Sequence, residues 1–161
     1  MVLLPGSRQQ EINNHWPVFL ETIFLLKKKL PSLRFCLVKS NNVIIKNIPD
    51  FIIIESSVTN ALKHGTAAIS SSGTVNLECA LAEIPTIVCY KTSYINWMIF
   101  KIFGKVNFIS IVNLISEEKI IPELIQSDMT SKKILPPLLE YLSLSSKKRK
   151  ETIEKYKKIL N

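Results

Sequence analysis

Short apolar runs alternate with helical patterns along most of this chain, and this alternation restricts the folds open to it. The runs occupy residues 2–4, 33–38, 51–54, 67–70 and 86–90. They are too short for helices, and strands that are apolar almost throughout must be covered on both faces, as in a parallel sheet between two layers of helices. We therefore predict an α/β fold with a Rossmann-like parallel sheet and helices on both faces, in which ligands bind at the carboxyl ends of the strands.

Helical patterns fill the segments between these runs. Predicted helices follow the first run, cover Val58–Lys63 and residues 73–82, begin at Pro136, and cover residues 145–160. In the first helix Pro17 is expected to kink the chain or to mark the helix start, because proline lacks the N–H that a helix interior needs. The helix at residues 73–82 is expected to bury Leu77, Ala80 and Leu81.

The segment most informative about function is residues 70–78, Ser-Ser-Ser-Gly-Thr-Val-Asn-Leu-Glu, between a strand and a helix. The step Gly73-Thr74 at a helix start presents unpaired N–H groups and the positive end of the helix dipole, which suit a phosphate. Glu78 lies one turn along, where a carboxylate can accept hydrogen bonds from ribose hydroxyls. An ordinary Ser/Thr cap followed by a surface glutamate explains the same residues equally well.

A second loop is expected at the same edge of the sheet. Residues 5–8, Pro-Gly-Ser-Arg, follow the carboxyl end of the first run, and residues 71–74 follow that of a later run. Arg8 can supply a fixed cation to a diphosphate, and Gly6 and Ser7 can add backbone donors. The alternative is a turn followed by a surface arginine near a helix start. The chain contains neither G-x-G-x-x-G nor a Walker A sequence, which excludes the usual dinucleotide and P-loop sites.

Charge and composition limit the possible partners. The 161 residues form one domain of ordinary size, and their mean hydropathy of +0.19 excludes a disordered chain. The net charge of +8 suits a polyanion. The basic residues concentrate at 27–29 and 147–150, however, where lysines fit a helix end or a solvated helix face. We expect phosphorylated ligands and no nucleic acid.

The sequence predicts neither a metal ion nor an organic cofactor. Cys36, Cys79 and Cys89 have no metal-binding spacing, and their odd number argues against a disulfide framework, so buried free thiols are expected. No uncharged apolar run reaches the roughly 18 residues that span a bilayer. Residues 1–4 are too short for the core of a signal peptide, so we expect a cytoplasmic protein.

Sequence blocks spread over residues 1–142 carry a family resemblance. The blocks are Leu3-Leu4-Pro5-Gly6-Ser7-Arg8 with Glu11-Ile12, Pro17-Val18-Phe19-Leu20, Ser72-Gly73-Thr74 with Leu77-Glu78, Ala80-Leu81-Ala82, Pro85 with Val88 to Lys91, Phe108-Ile109-Ser110 with Asn113-Leu114, and Pro122-Glu123-Leu124-Ile125-Gln126. In this order they resemble the C-terminal domain of the lipid-A-disaccharide synthase family. Val112 departs from the proline that the family usually has before Asn-Leu.

The resemblance implies a GT-B glycosyltransferase of lipid A biosynthesis. It implies transfer, with inversion, of 2,3-diacylglucosamine from UDP-2,3-diacylglucosamine to 2,3-diacylglucosamine 1-phosphate (lipid X), which yields lipid A disaccharide 1-phosphate and UDP. No cofactor and no metal are implied, and the protein is expected to lie peripherally on the inner membrane.

The same resemblance divides the chain and assigns its site. Residues 1–142 correspond to the UDP-binding domain, and residues 143–161 to a basic C-terminal helix that is truncated relative to the family. The positions assigned to UDP are Gly6, Ser7, Arg8, Ser72, Gly73, Thr74, Glu78 and Asn113, with Glu123 and Gln126 near the donor sugar and diphosphate.

By this resemblance the chain corresponds to the donor-binding half of an enzyme. Family members begin with an N-terminal domain that binds the acceptor and carries the general base, so we expect that half to be missing or separately encoded. His15 and His64, the histidines of this chain, are expected to be structural or exposed rather than catalytic. The chain is expected to bind UDP weakly, to form no disaccharide alone, and to self-associate, for example as a homodimer, through uncovered apolar surface.

The residues also allow two further interpretations. One is a non-catalytic module that binds phosphosugars or nucleotides, because a Ser-Ser-Gly-Thr helix start suits that role as well. The other is a basic membrane-surface protein that uses Trp97, Phe100 and Phe103 together with the lysine clusters. Residues 94–100 are apolar almost all round a helix, so they are expected to pack in the core or to face a partner or a membrane.

Overall fold

The computed structural model describes residues 1–93 and 108–160, which form a parallel β-sheet with helices on both faces. The strands are β1 (Val2–Leu4), β2 (Phe35–Val38), β3 (Ile52–Glu55), β4 (Ala68–Ser71), β5 (Thr86–Tyr90) and β6 (Glu123–Ile125). Their order across the sheet is β3-β2-β1-β4-β5-β6, and every pairing between neighbours is parallel. The predicted α/β class and Rossmann-like arrangement are confirmed.

Two layers of helices cover this sheet. The helices are α1 (Gln9–Lys29), α2 (Val58–Lys63), α3 (Val75–Leu81), α4 (Ile111–Ser116), α5 (Ser131–Leu142) and α6 (Lys147–Leu160), with a 3₁₀ turn at Gln126–Asp128. Since side chains alternate along a strand, Leu3 enters the core under α1 and α5, whereas Val2 and Leu4 enter the core under α2 and α3. The loop after β1 therefore leads to one layer and the loop after β4 leads to the other.

Most predicted elements agree with the structure to within two residues. The bounds of β1, α2 and β5 match those predicted, because these segments carry an uninterrupted apolar or helical pattern. Strand β6 was not predicted. The predicted helix at residues 94–100 and the aromatic side chains of the membrane interpretation, Trp97, Phe100 and Phe103, lie outside the described residues.

The prolines do not start the helices to which they belong. Helix α1 begins at Gln9 and continues through Pro17, which is exposed, as is Asn13, the residue whose carbonyl loses its helical donor. Helix α5 begins at Ser131, not at Pro136, because the Thr130 side chain accepts a hydrogen bond from the N–H of Lys133 at 3.3 Å and caps the helix there. Prolines are therefore tolerated where the freed carbonyls face solvent.

Helix α3 buries only part of the predicted face: Ala80 is buried and Leu77 is half-buried, but the prediction for Leu81 is wrong. The predicted apolar residue Leu81 is 63% exposed, whereas Asn76 and Cys79 are fully buried next to Ala80. The hydroxyl of Ser70 donates a hydrogen bond to Oδ1 of Asn76, whereas Nδ2 of Asn76 has no hydrogen-bond partner among the described residues. The helix is consequently rotated relative to the face that its leucines indicate.

The basic C-terminal helix α6 is fixed to the rest of the molecule. Tyr156 is buried against α3, α4 and β5, and Arg149 donates hydrogen bonds from Nη1 to the carbonyl oxygens of Thr66 and Tyr141. Lys155 also pairs with Glu118 at 3.0 Å. Within residues 1–93 and 108–160, no helix combines the length and the apolar character needed to cross a bilayer.

The three cysteines are free thiols, as predicted. Cys79 and Cys89 are buried, and Cys36 is half-buried. Burial raises the pKa of the Cys79 thiol to about 11 and raises the pKa of Cys89 further. Both buried thiols therefore remain protonated at neutral pH and behave as core residues.

Candidate functional site

A cleft of about 730 Å³ opens at the carboxyl edge of the sheet, where the chain leaves β1 and β4 in opposite directions. Its lining comes from the ends of four strands: Leu4, Gly6, Ser7, Arg8 and Glu11 beside β1, Val38 to Asn42 beside β2, Ser56 and Val58 beside β3, and Ser71 to Val75 beside β4. The prediction that residues 5–8 and 71–74 open on the same edge is confirmed. This switch point in the strand order is the usual ligand position in such sheets.

Glu11 holds the first loop in a shape that requires glycine. The Glu11 carboxylate accepts a hydrogen bond from the N–H of Ser7 at 3.0 Å. Gly6 has a φ of +122°, and a Cβ added there would lie 2.7 Å from Cβ of Glu11 and closer still to its carboxylate. The backbone donor predicted at Ser7 is therefore already paired within the protein, and Glu11 is a site residue that the sequence prediction missed.

Arg8 is the most accessible cation of this loop. Its side chain is 82% exposed, and its Nη1 lies 3.3 Å from Oε1 of Glu11. Because the Arg8 side chain is largely in solvent, this contact contributes little to stability, and the guanidinium can exchange Glu11 for a ligand at small cost. Lys39, after β2, lines the same cleft and supplies a second positive charge that sequence reasoning overlooked. Its position directly after a predicted strand was the available signal.

The second loop has a later helix start than predicted. Helix α3 begins at Val75 and is seven residues long, so Gly73 and Thr74 belong to the loop and to the N-cap. The dipole of so short a helix is small, and the capacity of the cleft to bind an anion rests more on Arg8 and Lys39. The hydroxyl of Ser72 donates to the carbonyl of Ile109 at 3.1 Å, which ties this loop to the segment before α4.

Glu78 lies on α3 beyond the residues that line the cleft. Its side chain is exposed, and its carboxylate makes no hydrogen bond or ion pair with the described residues. It is therefore accessible to a ligand that extends out of the cleft along the helix.

Asn113 and Glu123 lie outside the cleft, in a network of hydrogen bonds next to β5 and β6. Asn113 is fully buried. Its side-chain nitrogen donates hydrogen bonds to the carbonyl oxygen of Ile121 and to Oε1 of Glu123, both at 2.9 Å. Its side-chain oxygen accepts hydrogen bonds from the N–H groups of Ile120 at 2.9 Å and Ile121 at 3.0 Å. These four bonds use the whole capacity of an asparagine amide.

Glu123 organises the segment before α4. Its carboxylate accepts hydrogen bonds from the N–H groups of Ile109 at 3.0 Å and Ser110 at 2.9 Å, in addition to the bond from Asn113. The carbonyl oxygen of Ile109 also accepts a hydrogen bond from the Ser72 hydroxyl, and this bond links the network to the cleft. The structure thus brings Gly6, Ser7, Arg8, Ser72, Gly73 and Thr74 together and places Asn113 and Glu123 behind them.

Further side chains connect the ends of β1, β5 and β6. His15 is fully buried, with Nδ1 2.8 Å from the carbonyl oxygen of Pro5 and Nε2 3.1 Å from the backbone nitrogen of Lys91. The predicted site residue Gln126 accepts a hydrogen bond at Oε1 from the N–H of Thr92 at 3.2 Å. The prediction that His15 is structural is consistent with these contacts, and His64 ends α2 with an exposed side chain, as expected.

The charged residues of the cleft are suited to binding an anion. Among residues 1–93 and 108–160, no group of three or more His, Cys, Asp or Glu side chains could hold a metal. The cleft combines two cations, Arg8 and Lys39, with a glycine-containing loop on each side, and these groups can compensate the charge of a diphosphate.

Comparisons with known proteins agree on one family. A family model described as lipid-A-disaccharide synthetase matches residues 1–161. The lipid-A-disaccharide synthase of Coxiella burnetii (strain Dugway 5J108-111) is 31% identical over 148 residues, which cover 89% of this chain and 39% of that protein. The enzyme of the same name from Nitrobacter winogradskyi is 32% identical over 94% of this chain and 40% of its own length. That from Geobacter sulfurreducens is also 32% identical, over 87% of this chain and 38% of its own length.

The chain therefore spans about two fifths of the length of these curated relatives. It belongs to the lipid-A-disaccharide synthetase family.

Proposed function

We propose that this family member is the nucleotide-sugar-binding part of a glycosyltransferase and that its cleft holds the UDP moiety of UDP-2,3-diacylglucosamine. The observation that carries the proposal is the meeting of residues 5–8 and 71–74 at the switch point of the sheet, in a chain that matches the family over its whole length. The UDP-binding unit is residues 1–142, and the basic helix that follows belongs to residues 143–161.

The contacts with UDP divide between the two loops. The diphosphate lies between Arg8 and the loop formed by Ser72, Gly73 and Thr74, where a cation and loop amides compensate its charge. Glu78 accepts hydrogen bonds from the ribose hydroxyls, since its carboxylate is exposed one turn along α3.

Asn113, Glu123 and Gln126 act on UDP indirectly in this proposal. Asn113 and Glu123 are committed to hydrogen bonds within the protein, and Oε1 of Gln126 accepts the Thr92 N–H. Glu123 reaches the cleft through Ile109 and Ser72. They position the loops instead of contacting the ligand.

The reaction proposed for the complete protein is transfer of 2,3-diacylglucosamine to lipid X. A hydroxyl of the acceptor attacks the anomeric carbon with inversion, a base removes the hydroxyl proton, and UDP leaves with the electron pair of the broken bond. The part described here stabilises the departing UDP through Arg8 and the second loop. The base and the acceptor site belong to the remaining three fifths of the relatives' length. Because the substrates are lipids, the protein acts peripherally at the cytoplasmic face of the inner membrane.

Calorimetry with UDP tests the site. We expect Arg8→Ala to weaken binding of both UDP and inorganic diphosphate, and Glu78→Ala to weaken binding of UDP alone, because diphosphate has no ribose. Arg34→Ala and Glu140→Ala are matched controls, since both side chains are exposed and lie away from the cleft lining.

Three results would count against this assignment. Failure of the folded chain to bind UDP contradicts it, as does UDP binding that neither Arg8→Ala nor Glu78→Ala changes. Equal affinity for UDP, inorganic diphosphate and simple sugar phosphates would instead support a non-catalytic phosphosugar-binding module, for which the two cations of the cleft, Arg8 and Lys39, suffice.

A further inference from the structure

We propose that His15 is a positioning residue of the UDP cleft: as a neutral imidazole it joins the first loop to the residue after β5, and its protonation weakens ligand binding by releasing that loop. The inference rests on the proposed function, because it concerns the affinity of the same cleft. His15 itself touches no ligand.

The geometry fixes which imidazole form makes both bonds. Nδ1 of His15 lies 2.8 Å from the carbonyl oxygen of Pro5, and Nε2 lies 3.1 Å from the backbone nitrogen of Lys91. A carbonyl oxygen only accepts and an amide N–H only donates, so Nδ1 carries the hydrogen and Nε2 presents its lone pair. The bridge from Pro5 to Lys91 therefore exists in one tautomer of the neutral ring.

Helix α1 holds the backbone of Lys91 on both sides. In addition to the bond at His15, the amide of Asn14 donates to the carbonyl oxygen of Lys91 at 3.1 Å. The following residue, Thr92, donates its N–H to Oε1 of Gln126 at 3.2 Å. Side chains thus join the ends of β1, β5 and β6, and Pro5 immediately precedes Gly6 in the cleft lining.

Protonation of His15 would break one of these bonds. The imidazolium carries a hydrogen on Nε2, which would face the N–H of Lys91 with no acceptor between them. The Pro5 bond could persist, but the loop would lose its tie to β5. Glu11 would still hold Gly6 and Ser7 from the other side, but without the tie to β5 their position in the cleft would become less fixed.

The surroundings keep the ring neutral at physiological pH. Burial is the main effect and lowers the pKa of His15, the Lys91 charge acts in the same direction, and the Pro5 carbonyl and the Glu11 carboxylate act in the opposite direction. The ring also lies 6.2 Å from Phe19 and 6.3 Å from Tyr90 between ring centroids.

The sign of the pH effect follows from this lowered pKa. The unfolded chain, with the ordinary histidine value near 6.5, takes up the proton more readily than the native protein does, so the bridge is intact above that value and is lost as the pH falls through the lower native value. Affinity for UDP should therefore fall as the pH drops through the native pKa of His15, which lies below 6.5.

The test compares the pH dependence of UDP affinity, from pH 7.5 to below the pKa of His15 in the wild type, for three forms of the full chain. In His15→Gln the side-chain oxygen can still accept a hydrogen bond from the Lys91 N–H, but the side chain cannot titrate. The loss of UDP affinity on acidification should therefore be smaller for this variant than for the wild type. The two losses should differ by about 2- to 10-fold, the effect of one hydrogen bond. Protonation of UDP itself affects all forms equally. His64→Gln, at an exposed histidine, should keep the wild-type profile.

A second measurement needs only the wild-type chain. Nuclear magnetic resonance of the ring gives the pKa of His15 with and without UDP, and linkage requires UDP to lower it if binding favours the neutral bridge. This readout decides the matter even if His15→Gln fails to fold.

The outcomes separate the inference from the function on which it rests. Absence of UDP-dependent shifts in the Gly6 and Gly73 amide signals would overturn both. If those signals shift while the pKa of His15 stays constant and the wild type and His15→Gln share one pH profile, the site stands and the inference about His15 is overturned.

Discussion

The carboxyl edge of the sheet has two halves whose polar residues behave differently. Around β2, β1 and β4, Lys39 and Arg8 line an open cleft, and the Arg8 side chain itself is 82% exposed. Beside β5 and β6, Asn113 and Glu123 are enclosed by donors and acceptors of the protein itself. The open half can exchange its contacts for a ligand, whereas the enclosed half would have to break its own structure to do so.

This difference shows that a polar residue in a family motif can serve binding in two ways. One kind of residue offers unpaired charge to the ligand, and the other gives the loops their shape. The distinction predicts that substitutions in the enclosed half change stability first, and substitutions in the open half change affinity first.

The largest effect is expected for Asn113→Ala. Removing the amide leaves the N–H groups of Ile120 and Ile121 and the Ile121 carbonyl without their partner, so the free energy of unfolding should fall by about 2–4 kcal/mol in urea denaturation. Asn60→Ala, at an exposed position of α2, is the control and should have little effect. A loss of UDP affinity at unchanged stability would place Asn113 among the ligand contacts instead.

Gly6→Ala should affect both stability and binding. The new methyl group must displace Glu11 and adopt an unfavourable φ, which should cost about 1–3 kcal/mol of unfolding free energy and weaken UDP binding through the shifted loop. Gly73→Ala is the matched control for backbone strain, because φ is also positive there, at +157°, but a Cβ meets no atom within 4 Å. Equal losses in unfolding free energy for both variants would show that the Glu11 contact is unimportant.

Lys39→Gln should change affinity and leave stability nearly unchanged. The side chain lines the cleft, and its backbone N–H, which donates to the Glu55 carbonyl at 2.9 Å, is kept in the variant. Calorimetry at low salt should give UDP binding weaker by about 3- to 10-fold, with a smaller difference at high salt because the contact is electrostatic. Unchanged affinity at low salt would remove Lys39 from the binding surface.

Ser72→Ala should have the smallest effect, at the boundary between the two halves. It removes the bond from the Ser72 hydroxyl to the Ile109 carbonyl and should lower the unfolding free energy by about 0.5–1.5 kcal/mol. Ser56→Ala is the control, since the hydroxyl of Ser56 makes no hydrogen bond with the described residues. A double-mutant cycle of Ser72→Ala with Glu123→Gln measures whether the halves are coupled, and strict additivity would mean that they are independent.

The fold was largely predictable because its strands are apolar segments with clear limits. Strand β6 was missed because it has only three residues and begins with Glu123, whose carboxylate is used to hold Ile109 and Ser110. The start of α5 was missed because Pro136 suggested a helix beginning, although Thr130 ahead of Ile134 and Leu138 carried the correct signal.

The open half of the site was predictable, and the enclosed half was not. The loops at residues 5–8 and 71–74 follow strands, so parallel pairing alone brings them to one edge. The partners of Glu123 are 10 to 14 residues away in the chain, and those of His15 include Lys91, 76 residues away. Whether such polar groups are free or paired depends on tertiary contacts, which no local pattern specifies.

Arg149 attaches the basic C-terminal helix α6 to the rest of the molecule. Its guanidinium joins α6 to the backbone at Thr66, just before β4, and to the end of α5. The Arg149 charge therefore does not belong to the exposed positive surface that the run at residues 147–150 suggests. Detachment of α6 would expose Tyr156 and leave the two carbonyl groups without their donor. If this end of the protein meets an anionic surface, α6 remains packed against the rest of the molecule, and its exposed lysines make the contact.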